Sequence, residues 1–279
     1  AGFYKDWADK GEGLGHFMTY GDFPEKGMDD PTSLLIPPGV ILNRDLSHIH
    51  ELDLNAADQI QESVAHSWYK YGGGQNQALH PYDGETELNY TGPEPPYEQL
   101  DIDKQYSWLK SPRWKGHAVE VGPLARVLML YATGHEQTQA LVDYTLQTLD
   151  VPIEALFSTL GRTAARSLET QIIADTMQTW YDNLIANIKA DDTQTFNKQL
   201  WEPASWPKQA KGVGYTEAPR GALAHWVVIE DEKIANYQAV VPSTWNAGPR
   251  DADGNPGAYE AALQGHTLED TEQPIEILR

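Results

Sequence analysis

Apolar residues recur at three- and four-residue spacing mainly between positions 123 and 190, and there the pattern predicts helices. Pro123 opens the first, which carries Leu124, Val127, Leu128 and Tyr131 and is ended by Gly134. A second covers roughly 136–149. A third begins near Pro152 and, past Gly161, runs to Ala190, with Ala165, Leu168, Ile172, Ile173, Met177, Trp180, Leu184 and Ile188 at helical intervals. Residues 117–200 therefore read as a helical bundle. Upstream, 1–116 reads as an irregular region with short apolar pieces, such as Leu34 to Ile36 and Val40 to Leu42, that suit strands. One helix is expected there: Asn55 can cap a segment reaching Tyr71, with Ile60, Val64 and Trp68 on one face and three glycines to stop it. The proline-rich stretch 75–116 is expected to be a long loop that is functional or wraps a neighbour.

After Trp206 the pattern changes. Ala222 to Ile229 and Ile234 to Val241 suit strands, with Glu230 to Lys233 as a four-residue turn between them. Pairing across that turn places Ala222 opposite Val241, and Arg220 opposite Ser243 just beyond the strand ends. Both faces are mostly apolar, so the hairpin over 213–250 is expected to be buried. Arg220 would then be a cation at its mouth, between Pro219 and Pro242, which offer no N–H. A buried Arg needs an anion, and Glu217 is one candidate. The last segment, 251–279, reads as a loop and a short helix with Pro274 near its first position. The fold class that follows is mainly α with small β elements: a long-helix bundle plus a buried β-hairpin.

Composition narrows the chemistry. Of 279 residues, 41 are acidic and 20 basic, giving a formal charge of −21, which disfavours nucleic acid and anionic lipid as partners. The absence of cysteine excludes disulfides, thiolate metal sites and thiol nucleophiles within this chain. The longest apolar run, about eight residues from Ala235 to Pro242, is far short of the roughly 20 that a spanning helix needs. An aromatic-rich start and a helix that stops within two turns of its proline raise the expectation that the chain has been cut.

Short motifs identify no activity. His48 and His50 could be a metal pair but lack a third ligand nearby. Asp83, Glu85 and Glu87 alternate in a Gly/Pro loop, where acids are usually solvated. The glycines at 11, 13 and 15 lack the preceding strand of a nucleotide-binding turn, and Asn89-Tyr90-Thr91 matches a glycosylation acceptor by a pattern common by chance. Acids and aromatics leave a carbohydrate-active enzyme open.

Longer strings carry more. Glu217 to Trp226 (EAPRGALAHW) and Ala239 to Arg250 (AVVPSTWNAGPR) resemble the signature of nickel–iron hydrogenase large subunits. Ser107 to Trp114, Glu120 to Arg126, Gly161 to Arg166 and Gln273 to Arg279 agree with it in the same order, and Gly92 to Asp101 is most similar to the membrane-bound respiratory uptake group. The resemblance implies part of the hydrogenase large-subunit fold, its carboxy-terminal half, ending before the second of two paired-cysteine motifs that hold the metal in that family.

The resemblance also implies a reaction and a site. The reaction is the reversible splitting of dihydrogen, mainly in the uptake direction, at a nickel–iron centre whose iron carries carbon monoxide and cyanide. Arg220 and Ser243 would donate hydrogen bonds to the two cyanides, while Pro219, Leu223, Val241 and Pro242 complete the wall, the last two with Leu223 forming its dry side. Arg220 would be the catalytic residue; since a guanidinium is a poor base, it is expected to orient and polarise. A magnesium ion would take the backbone carbonyl of Ala239, with Glu62 and Lys110 around its water shell. Expected partners are an iron–sulfur small subunit, a membrane cytochrome b, the rest of the large subunit and dihydrogen, at the periplasmic side of the cytoplasmic membrane. A metal-free homologue within a respiratory complex is the other reading, against which Arg220 and Ser243 argue.

Overall fold

The computed structural model describes residues 2–25, 33–97, 99–196 and 201–266. It opens on a short helix, α1 (Gly2–Asp6), and four three-residue strands. β1 (Phe17–Thr19) pairs with β4 (Gly39–Ile41), and β2 (Asp22–Pro24) with β3 (Leu34–Ile36), all antiparallel. Phe17, Met18, Val40 and Ile41 are fully buried, so these short strands are held by packing on both faces rather than by their own length.

The helix expected from Asn55 to Tyr71 does not form. β5 (Ile60–Ser63) occupies its middle and lies between β7 (Ala78–Leu79) and β9 (Ser111–Trp114); β6 (Tyr69–Lys70) pairs with β8 (Glu87–Leu88). Ile60, Val64 and Trp68 are buried as expected, but by cross-strand neighbours: Ile60 faces Trp114 and Glu62 faces Pro112. Ladder partners supplied from up to fifty residues away override a local helical pattern. Asn55 caps nothing; its side chain accepts from the Tyr82 hydroxyl at 3.0 Å. The stretch 75–116 thus contributes three strands and is not one long loop.

The central helices lie where the periodicity placed them. α2 (Pro123–Ala132) is buried from Pro123 to Leu130 and apolar on every side except at Arg126. α3 (Glu136–Leu149) follows, and a 3-10 turn (Ile153–Phe157) leads into α4 (Thr159–Lys189). Ser158 caps α4 by accepting from the Gly161 amide at 3.0 Å, so the third helix starts later than Pro152. The first half of α4 packs most closely: Ala165, Leu168 and Ile172 are buried against α2 and its neighbours, and in the second half Trp180 stacks on Phe23. The continuation of the same stripe, Met177, Leu184 and Ile188, is 61%, 56% and 52% exposed, so the expected bundle is partial among the described residues.

The expected two-stranded hairpin is the latter part of a three-stranded antiparallel sheet: β10 (Gln209–Ala218), β11 (Gly221–Glu230) and β12 (Lys233–Val240). Asp231 and Glu232 both take positive φ, 46° and 64°, so the turn has two residues and not four. A bulge between Val228 and Ile229 then shifts every later pair by one. Ala224 faces Val240, the ladder ends there, and the chain enters α5 (Pro242–Ala247) before the last helix, α6 (Ala258–Leu263). The sheet is not buried on both faces. Ala222, Ala224, Trp226 and Val240 enter the core with Met18, Tyr20 and Trp245, whereas Ile234, Tyr237 and most of β12 are exposed. Six helices and five small sheets among the described residues agree with helices accompanied by small β elements. The expected helix at Pro274 lies outside the described residues.

Candidate functional site

Pro219 and Arg220 form the two-residue turn between β10 and β11, whose last pair is Ala218 with Gly221. Both turn residues are exposed, so the expectation of a buried Arg220 is overturned within this chain. The reason is register: β10, which the apolar pattern of the sequence did not reveal, turns Arg220 outward at a hairpin tip. Arg220 forms no ion pair among the described residues. Glu217 does not serve it either, because Glu217 pairs with Arg126.

That pairing builds the base of the turn. Arg126 Nη1 donates to Glu217 Oε2 at 3.0 Å and to the Ala218 carbonyl at 2.9 Å, and Nη2 donates to the Pro219 carbonyl at 3.1 Å. Nε and Nη2 form a fork to the two oxygens of Glu169 on α4. Glu217 Oε1 accepts from the Tyr20 amide at 2.6 Å, while the Glu217 amide donates to Asp22 Oδ2 at 2.7 Å. Burial pushes the Glu217 carboxyl up to about 7, against the opposing pull of Arg126 and the Tyr20 N–H, with Asp22 adding to the rise. The Arg126 guanidinium is likewise desolvated, yet the hydrogen bonds and charge of Glu169 and Glu217 hold it above its ordinary value.

A second cluster joins β5, β9 and β12. Lys110, just before β9, donates from Nζ to Glu62 Oε2 at 2.5 Å and to Gln238 Oε1 at 2.9 Å, with Thr86 Oγ1 at 3.3 Å. Gln238 in turn donates to the Gly84 carbonyl at 2.7 Å. Glu62 is fully buried, its Oε1 has no partner, and desolvation raises its carboxyl above the ordinary range despite Lys110. Ala239, the next residue after Gln238, is exposed and pairs with His225. The structure thus brings Glu62 and Lys110 together and ties them to the strand that carries Ala239.

The remaining expected residues are placed less closely. Leu223 is half-buried in β11, Val241 is the N-cap residue of α5, Pro242 is its buried first residue and Ser243 is exposed beside it. The ladder that would have set Arg220 opposite Ser243 stops at Val240, so the two are not a cross-strand pair. His48 and His50 stack edge to face with ring centres 4.4 Å apart, and no cluster of three metal-binding side chains occurs among the described residues. Sequence reasoning missed Arg126, Glu169 and Gln238. Arg126 did leave a signal, as the one charge in a helix otherwise apolar all round.

All 279 residues match the nickel-dependent hydrogenase family. The chain is 52% identical over 285 residues to the uptake hydrogenase large subunit of Bradyrhizobium diazoefficiens, covering 99% of this chain and 48% of that relative. It is 45% identical over 285 residues to the hydrogenase-1 large chain of Escherichia coli, with the same coverage. Among solved structures, a [NiFeSe]-hydrogenase of Desulfomicrobium baculatum superposes with a TM-score of 0.72 at 30% identity, over 98% of this chain and 51% of that one. The chain spans about half the length of the curated relatives it matches. With relatives this similar along its whole length, the chain belongs to the nickel-dependent hydrogenase family.

Proposed function

We propose that these residues form the outer wall of the metal pocket in the large subunit of a respiratory nickel–iron hydrogenase, which takes up dihydrogen and releases protons and electrons. One observation carries this reading: Arg220 is presented at a hairpin tip with no anion among the described residues, while the turn beneath it is fixed by a buried ion network. A cation so held, with its fork free, fits an anionic group supplied from outside these residues.

The donor set defines how far the fit goes. The chain has no cysteine, so it does not itself fit the nickel and iron ions, whose thiolate ligands would come from elsewhere in the protein. It fits the rim of such a centre, whose iron in the resembling family bears cyanide and carbon monoxide. The centre, when bound, supplies the electrophile that polarises dihydrogen. Arg220 would orient and polarise by donating charge-assisted hydrogen bonds to a cyanide nitrogen, and Ser243 would donate to the other. Pro219, Leu223, Val241 and Pro242 give the apolar wall that suits carbon monoxide. A guanidinium does not deprotonate at working pH, so Arg220 is not the base.

A magnesium ion fits the second cluster. The orphaned, buried Oε1 of Glu62 is a hard oxygen donor suited to such an ion or to one of its waters. The Ala239 carbonyl would be a ligand, and Lys110 would hold Glu62 in place. An iron–sulfur small subunit would complete the heterodimer, with a membrane cytochrome b as electron acceptor at the periplasmic face of the cytoplasmic membrane. Among the described residues no helix is long and apolar enough to cross a membrane. These assignments are supported by the similarity to uptake hydrogenases.

The test uses the intact purified hydrogenase. Nickel and iron should be present in stoichiometric amounts, and Arg220→Lys, which keeps the charge but loses the fork, should lower hydrogen turnover by on the order of 100-fold without loss of metal. Turnover near wild type would make the orienting role untenable, and absence of nickel and iron would remove the hydrogenase reading itself.

A further inference from the structure

Arg126 sits on buried helix α2 and is only 3% exposed. A guanidinium has five N–H groups, and all five find acceptors here. Three go to carboxylates: Nε and one Nη2 hydrogen to Glu169, one Nη1 hydrogen to Glu217. The other two go to the carbonyls of Ala218 and Pro219, the two peptide units that immediately precede Arg220. The two glutamates neutralise the buried charge, and the two carbonyls satisfy the remaining N–H groups while tying them to the turn.

The backbone beneath the turn leaves no slack. A Cβ on Gly122, the residue before α2, would lie 2.8 Å from the Arg220 carbonyl oxygen. One on Gly221 would lie 2.6 Å from the Gly122 amide. Both glycines hold φ in the left-handed range, 123° and 131°, which lets the two segments touch backbone to backbone. A shift of α2 at Arg126 would therefore pass directly to Arg220.

We propose that Arg126 is a positioning residue for Arg220: its fork, neutralised by Glu169 and Glu217, fixes the Ala218 and Pro219 carbonyls and so the direction in which the Arg220 side chain leaves the turn. This rests on the reading of Arg220 given above. Lysine could not substitute, since three donors on a flexible stem cannot meet five acceptors in one plane.

A double-mutant cycle in the intact purified hydrogenase tests it, with metal content and hydrogen–deuterium exchange of the peptide spanning 216–224 measured alongside turnover. Arg126→Lys and Arg126→Gln should each keep nickel and iron, lower turnover by about 10- to 100-fold, and speed amide exchange at the turn. In an Arg220→Ala background the same changes should lower turnover by less than about twofold further, because the group they position is gone. Losses that multiply in the double variant, or unchanged exchange at the turn, would overturn the proposal. Should the Arg126 variants fail to fold, Glu169→Gln takes their place, with the same loss of effect in the Arg220→Ala background expected; independent losses there would overturn it too. Arg220→Ala alone with wild-type turnover is a different result, which would remove the reading of Arg220 itself.

Discussion

The Tyr20 amide donates to Glu217 Oε1 at 2.6 Å, joining positions 197 residues apart in the chain. That bond, with the Asp22 carboxylate accepting from the Glu217 amide, ties the first strands to the strand that ends in the Arg220 turn. Burial of the carboxylate between them raises its pKa, and the consequences are measurable.

Glu217 should make the folded state less stable as pH rises. Its carboxyl lies near 7 when folded and near 4.5 when unfolded, so between those values the folded state holds the extra proton. Stability from this group is therefore fully present below about pH 4.5 and declines until about pH 7. Thermal unfolding of the intact subunit from pH 5 to 8 should show that slope, and Glu217→Gln should flatten it. A slope unchanged in the variant would assign the pH dependence to other groups.

Arg113 and Asp251 form a second buried pair, Nε to Oδ2 at 2.8 Å, with side chains 6% and 9% exposed. Asp251 also accepts from the Asp253 and Asn255 amides, and Arg113 donates to the Asn255 carbonyl at 2.9 Å. Burial alone would raise Asp251, but the hydrogen bonds and charge of Arg113 and Asn255 hold it below its usual value. Asp251→Ala should cost about 3–5 kcal/mol by leaving Arg113 buried and unpaired. Denaturant titration checks this, and a cost under about 1 kcal/mol would show that water reaches the site.

Gly122→Ala and Gly221→Ala should each displace the turn. The added methyls would meet backbone atoms at 2.8 and 2.6 Å, and neither backbone conformation suits an L side chain. A destabilisation of about 1–3 kcal/mol is expected for each. Gly116→Ala supplies the comparison, since its φ of 82° is also unfavourable but nothing lies within 4 Å of the added carbon. If all three cost the same, backbone strain and not close approach explains them.

Glu62 and Lys110 should behave as a unit. Lys110→Met leaves a buried carboxylate without its cation and should cost about 3–5 kcal/mol. Adding Glu62→Gln should recover part of that cost, because the uncompensated charge disappears. Magnesium analysis of the intact subunit with Glu62→Gln tests the metal role separately: unchanged occupancy and activity would take Glu62 out of that site.

Helices α2, α3 and α4 were legible because their apolar positions repeat at the helical period and proline, serine and glycine mark their ends. The sheet was only partly so. β11 and β12 carry an alternating pattern, but β10 mixes Gln209, Lys211, Thr216 and Glu217 with two glycines and gives no such signal. The end of the β11–β12 ladder at Ala224 and Val240 cannot be read from composition, yet it decides that Arg220 does not face Ser243. The same limit hid the strand at Ile60, whose conformation is set by Ser111 to Trp114 fifty residues later. Lys110 lies in one of the family strings and Glu62 outside them, both named through the resemblance, and the structure brings them into contact. Arg126 was within one of those strings but showed no role until Glu217 was seen beside it.

The Arg126 network also constrains when the turn can be set during synthesis. Its members come from positions 20, 126, 169 and 217, so no shorter stretch of chain contains them all. The helices form from local contacts and can assemble early, whereas these long loops must close before the ion pairs repay the ordering. As the ribosome delivers the chain from the amino end, α2 and α4 emerge with Arg126 and Glu169 while Tyr20 still waits for Glu217. The Arg220 turn is thus locked only after most of the chain has been made, and a metal pocket built around it would acquire its rim late in folding.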